Sequence, residues 1–219
     1  MRSKQTECRQ SGFTLVEISI VLVIIGLLLG GVLKGQELID SAKAKNLAQD
    51  FRTVPMLVNA YQDKFRALPG DDSRAIAHVC PSTDATCTSN GDANGSIGGN
   101  WNDAATVASE AVYFWEHVRL ANLVSGASSR SDPEFLPLNS MGGRIGIQSG
   151  GAAAPLGVSG SYVMCSAGIP GKLIRQLDSI LDDGDPASGA MRAGVATDGD
   201  PVASTALDNS TVYIACLGV

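Results

Sequence analysis

The chain has 219 residues, 16 basic and 22 acidic side chains, and a formal charge of −6, so it lacks the overall basic footprint of a nucleic-acid binder. Hydrophobic residues make up 44% and charged ones 17%, which excludes a disordered polyelectrolyte. Two histidines, His78 and His117, leave little room for histidine-based metal or triad chemistry, and 25 glycines argue against an all-helical body.

The first twelve residues carry Arg2, Lys4 and Arg9 against Glu7, a net +2. From Phe13 to Leu33 the chain is almost wholly apolar. As a helix rising ~1.5 Å per residue this run spans a bilayer core of ~30 Å. The basic residues ahead of it predict a cytoplasmic N-terminus, with everything after Leu33 outside. A cleaved secretory signal would need small residues close behind the apolar run, and Ala42-Lys43-Ala44 lies too far along. A plain anchor explains the length but not Glu17. A carboxylate in hydrocarbon costs ~2.5–3.5 kcal/mol on insertion scales, marks function by default and wants a cationic partner.

Gly12-Phe13-Thr14-Leu15-Val16-Glu17 resembles the processing site of the type IV pilin and pseudopilin superfamily. A basic leader ends in Gly, the mature chain starts with Phe, Glu is its fifth residue, and an apolar stretch follows. The resemblance covers about residues 1–40, more loosely the helix after them. It implies that a membrane prepilin peptidase cuts between Gly12 and Phe13 and that Phe13 is then N-methylated. It also implies that Glu17 pairs with the N-terminus of a neighbouring subunit, setting register in a growing filament. Two groups costly to bury alone offset each other when paired.

The helical pattern continues beyond Leu33. Ala44, Leu47, Phe51, Val54, Val58, Tyr61, Phe65 and Leu68 recur at spacings of three and four, one apolar stripe of an amphipathic helix. One helix is expected from Phe13 to about Arg66, kinked at Pro55. Residues 13–33 form its transmembrane or filament-core half and 34–66 its amphipathic half. Gly26, Gly30, Gly31 and Gly35 weaken the upper half or permit close helix contacts.

Residues 67–219 form the globular head, where seven basic and sixteen acidic side chains leave −9, in keeping with a solvated extracytoplasmic surface. A loop-rich stretch is expected from Leu68 to about Asn102. A helix is expected over 104–124, with Val107, Ala111, Phe114, Trp115, Val118 and Ala121 at helical spacing and Gly126 ending it. Strands are expected at 143–149, 160–167, 190–197 and 210–217. A short helix at 170–182 buries Leu173, Ile174, Leu177, Ile180 and Leu181. The order predicts an α+β fold with an antiparallel sheet. It resembles the pilin head, a sheet laid on the lower half of a long helix, here with loop-rich, disulfide-tied insertions.

Cys8 lies in the leader and would be lost with it. Cys80, Cys87, Cys165 and Cys216 remain, and an even number outside the cytoplasm suggests disulfides. Of three connectivities, Cys80–Cys87 with Cys165–Cys216 is favoured. The first is a small loop tie. The second resembles the carboxy-terminal disulfide loop of many pilins. The competing readings are four buried thiols or, against the spacing, zinc.

Asn90, Asp92, Asn94 and Ser96 alternate as in a calcium loop, with Gly95 at the turn and Ile97 as anchor. The first position is Asn and the twelfth is Trp101 rather than Glu, with Asp103 a potential substitute, so a polar turn is the competing reading. Asp182, Asp183 and Asp185 form a second candidate calcium cluster, with a solvated turn, the commoner case, as the competing reading. The string from Leu181 to Pro186, with Gly189 to Ala193, resembles a stretch that recurs in pilin-like proteins. No cofactor other than calcium is suggested.

Nothing in the sequence carries catalysis: G-x-S-x-G, H-E-x-x-H and P-loop patterns are absent. His78 and His117 read as surface or helix-face residues, Trp101 and Trp115 as core. The resemblance implies a non-enzymatic prepilin stored in a bacterial inner membrane with its head outside. Its partners are the prepilin peptidase, copies of itself, other pilins, a platform protein and an assembly ATPase, and no nucleic acid. Its end state is a cell-surface pilus. The alternative is a periplasmic filament, as a type II secretion pseudopilin acting as a protein-export piston. The expected disulfides and a mature length of 219 − 12 = 207 residues lean towards the pilin. A third reading is a membrane-anchored extracytoplasmic enzyme or receptor.

Overall fold

The computed structural model describes residues 14–80, 87–151, 154–195 and 206–219. The elements are helix α1 (Leu15–Phe65), α2 (Ala75–Val79), α3 (Glu110–Leu120), strand β1 (Ile145–Ser149), a 3-10 turn (Pro155–Gly157), β2 (Tyr162–Pro170), α4 (Gly171–Leu181), β3 (Met191–Gly194) and β4 (Val212–Gly218). The chain divides into two compact units, one ending at Asp40 and the other running from Ser41 to Val219.

In the first unit, α1 carries an apolar run with a mean hydropathy of 2.7. It is the one helix among the described residues long and apolar enough to cross a membrane. Its large apolar side chains are exposed all round, from Leu15 at 86% to Leu33 at 67%. A helix apolar on every face needs lipid or other helices around it. The expected start, Phe13, lies outside the described residues.

In the second unit, the lower part of α1 buries Ala44, Leu47, Ala48, Phe51, Val54, Leu57, Val58 and Tyr61. This is the predicted stripe with Ala48 and Leu57 added, while Phe65 and Leu68 sit at its edge, half-buried. The helix runs through Pro55 without a break and ends where Arg66 turns to a φ of 56°. Ile97, Phe114, Trp115, Val118, Phe135, Ile147, Met164 and Met191 join the stripe in one core.

The sheet is antiparallel throughout, in the order β1-β2-β4-β3. Met164 and Ala215 point into the main core, while Val163, Cys165, Ile214 and Cys216 form a smaller cluster with Leu156 of the 3-10 turn and Val158 just after it. That alternation is the period of two that a sheet buried on both faces requires. Cys165 and Cys216 are direct register partners and are joined by a disulfide, with Cα atoms 4.1 Å apart. Cys80 is joined to Cys87. The α+β architecture and both disulfides match the pilin-like expectation.

Several boundaries differ from the sequence expectation. α3 begins at Glu110 rather than 104, because Ser109 is extended and the Glu110 carboxylate accepts from Gly98 N and Asp92 N, tying the helix start to the preceding loop. Val107 lies in a turn and is exposed. α3 ends at Leu120, with Asn122 at a φ of 60°, before Gly126 is reached. β2 runs three residues further than expected, to Pro170, through a bulge at Ser166–Ile169. Short α2 interrupts the expected loop, ending against Cys80. Residues 196–197 of the expected third strand lie outside the described residues.

Candidate functional site

Thr14 and Glu17 form a reciprocal cap at the start of α1. The Thr14 backbone N and hydroxyl each donate to Glu17 Oε2 at 2.8 Å, and Glu17 N donates back to Thr14 Oγ1 at 3.3 Å. This is the T-x-x-E capping box, and it satisfies helix-start donors that would otherwise be orphaned. The cap leaves Glu17 carrying the only carboxylate between Leu15 and Leu33. Gly12 and Phe13, the expected cleavage pair, lie outside the described residues.

The 90–97 loop folds onto acids that no local sequence pattern associates with it. Asn90 Oδ1 accepts from Ile76 N, and Asn94 Oδ1 accepts from Ser96 N and Oγ. Asp92 accepts from the Asn94 N and side-chain amide. Asp103 is tied to Asn100 instead of the loop. The groups that converge on Asp92 are Asp71 and Glu110, and one oxygen of each lies within 4.8 Å of the others. Asp71 accepts from Asn94 N and Gly95 N, so the acids hold the loop's own amides. Burial, then the Asp92 charge, raises the Asp71 carboxyl, and burial raises Glu110 in spite of its two amide bonds.

Beside this loop, Asp72 is a buried acceptor for Tyr61 OH at 2.8 Å, His78 Nδ1 at 2.6 Å and Arg74 N at 2.9 Å. Burial alone would raise its carboxyl, but these three donors together hold it below the usual range. Gly70, at a φ of 92°, lets its N–H reach His117 Nδ1 at 3.0 Å, where a β-carbon would strike the Glu110 carbonyl.

His117 is fully buried on the inward face of α3, whereas His78 is half-buried. Its Nδ1 accepts from Gly70 N, and its Nε2 faces the Ser89 carbonyl at 2.8 Å. That pair of partners fits the neutral ring with the proton on Nε2. A second proton on Nδ1 would meet the Gly70 N–H. Burial pushes the ring down to about 4; Asp72 opposes this, and Arg130 and His78 add to it. A depressed histidine contributes stability that is complete above the unfolded value of ~6.5 and lost as the pH falls towards 4. The window corresponds to about 3 kcal/mol at ~1.4 kcal/mol per pH unit. Chemical unfolding of the wild type and a His117→Gln variant from pH 7.5 to 4 tests this. The wild type is expected to lose about 3 kcal/mol more than the variant across the window. Parallel curves would exclude the assignment.

At the end of α4, Asp182, Asp183 and Asp185 surround the carboxyl of Asp178, which burial first and those charges second push up to about 6. Asp178 sits one residue from the apolar position Leu177, and its burial had no sequence signal.

The comparisons with known proteins bear on the N-terminus alone. No curated protein and no solved structure matches the chain. Residues 8–33 match the family model described as the prokaryotic N-terminal methylation motif. The Gly12-Phe13 junction, the Thr14–Glu17 cap and the apolar run all fall inside that match, so the chain carries the signature of type IV pilins and pseudopilins.

Proposed function

We propose that this protein is a structural subunit of a type IV pilus-like filament, made as a prepilin. The carrying observation is the methylation motif at residues 8–33, with a single carboxylate, Glu17, in the otherwise apolar run from Phe13 to Leu33. In this reading a prepilin peptidase cuts between Gly12 and Phe13 and the new α-amino group of Phe13 is methylated. The subunit waits in the inner membrane with its head outside. A platform protein and an ATPase then move its helix from lipid into a bundle of identical apolar helices. Glu17 meets the Phe13 ammonium of a neighbour, and the acidic head faces solvent. The chain's role is assembly, not turnover.

The Cys165–Cys216 bond between β2 and β4 supports the pilus reading over the secretion pseudopilin, since it resembles the carboxy-terminal disulfide loop of many pilins. Shearing cells that express the protein tests the choice. A pilus subunit is recovered in the sheared surface fraction, and only when prepilin peptidase is active. Retention of the processed protein in the membrane fraction would favour the pseudopilin.

A further inference from the structure

The end of α4 buries a carboxylate that lacks a counter-charge. Asp178 is 0% exposed, and neither side-chain oxygen has a hydrogen-bond partner among the described residues. The Gly184 N–H faces the carboxyl without completing a hydrogen bond. The charges acting on it are further acids, Asp183, Asp182 and Asp185. An unpaired ionised carboxylate in a protein interior is strongly unfavourable, and such groups are normally paired or coordinate a metal. A solvated acidic turn explains Asp183, which is exposed, but not Asp178.

The geometry suits a cation. Asp178, Asp182 and Asp183 each offer an oxygen, and the three atoms lie within 4.8 Å of one another. Oxygens bound to one calcium ion at 2.3–2.6 Å are at most ~5 Å apart. Asp178 and Asp182 are four residues apart, one turn along the same helix face. At Asp182 the backbone leaves the helix (φ −146°, ψ −136°), which brings Asp183 back towards that face. The Asp182 and Asp183 carboxylates are held in place from behind. Met191 N donates to Asp182 Oδ2 at 2.9 Å, Asp185 N to Asp183 Oδ1 at 2.9 Å, and Ser188 Oγ to Asp183 Oδ2 at 3.3 Å. Each carboxylate has about four acceptor positions, so these bonds orient it without exhausting it. The Asp71–Asp92–Glu110 cluster differs, because each of its acids already has a donor: Asp71 and Glu110 each accept two amides, and Asp92 accepts from Asn94.

We propose that Asp178, Asp182 and Asp183 hold a calcium ion that fastens the 182–190 loop to the end of α4. All three donors are hard oxygens, which select calcium or magnesium over transition metals. An irregular set on a helix end and a loop suits calcium, whereas magnesium demands near-octahedral geometry. The site does not depend on the filament reading.

Calorimetric titration of the full chain in detergent with calcium chloride, after chelator treatment, tests the proposal. One calcium per chain is expected, with a thermal midpoint that rises as calcium is added. Asp183→Asn, at an exposed position, is expected to weaken binding at least ~10-fold by removing one ligand charge. Asp178→Asn is expected to abolish binding and to raise the midpoint in chelator, where the wild type carries the buried charge alone. Asp92→Asn leaves binding unchanged. The proposal is overturned if no calcium is taken up at millimolar concentration. It is equally overturned if uptake survives Asp178→Asn and Asp183→Asn but is lost in Asp92→Asn, which would put the ion on the other cluster.

Discussion

Glu17→Gln is expected to leave processing intact and to lower the amount of protein in the sheared filament fraction at least ~10-fold. The effect depends on what the new N-terminus meets in the proposed bundle. Cleavage after Gly12 leaves an ammonium on Phe13 at the edge of an apolar helix. In the membrane it can reach the headgroups, but in a bundle of apolar helices it needs an anion. Removing one partner of a buried ion pair costs about 3–5 kcal/mol, because the other charge stays buried and unmatched. That is a factor of more than a hundred per contact, so tenfold is a floor. Glutamine keeps a side-chain oxygen for the Thr14 donors that now bond to Glu17 Oε2 at 2.8 Å. The variant therefore removes the charge while preserving the helix cap. Immunoblots of sheared and membrane fractions measure the ratio. Wild-type recovery in the sheared fraction would mean that Glu17 is a capping residue only.

The second large effect is thermodynamic. Replacing both Cys165 and Cys216 with Ala is expected to cost about 4 kcal/mol of stability by the loop-entropy relation. The bond closes a sequence separation of 51, and both cysteines are fully buried in the smaller core cluster. The same change at Cys80 and Cys87, separated by 7, is expected to cost about 2 kcal/mol. Thermal unfolding of the full chain in detergent reads the two. At roughly 2–4 °C per kcal/mol for a chain of this size, the first double variant should melt about 8–16 °C lower. A larger loss from the Cys80–Cys87 pair would show that the short tie, and not the sheet bond, limits unfolding.

The long helix was legible because its two signals are local. An unbroken apolar run gives the upper part, and spacings of three and four from Ala44 to Tyr61 give the buried stripe. Strands β1, β2 and β4 were legible from short apolar runs between glycine-rich turns. The first turn of the predicted 104–124 helix was wrong because periodicity counted Val107 as a core residue. The start of α3 is set by Glu110 bonding to Gly98 and Asp92, a contact across twelve and more residues that no local pattern carries.

The head's polar sites were the least legible part. The loop from Asn90 to Ser96 has calcium-loop spacing, yet the acids that gather around Asp92 come from the turn after α1 and the start of α3. Asp182, Asp183 and Asp185 are visible as a run, but Asp178 looks like a polar position on an ordinary amphipathic helix. Only the fold reveals that it faces inward. His117 read as a helix-face residue. The face turned out to be the inner one, where Gly70 and Ser89 satisfy both ring nitrogens.

The central claim is that the N-terminal motif is used as a processing and assembly signal. Its most direct test is the mass of the N-terminal peptide from protein isolated from cells with active prepilin peptidase. The account predicts a chain beginning at Phe13, heavier by one methyl group. A chain that still carries residues 1–12 under those conditions would contradict it and leave the apolar helix as a plain membrane anchor.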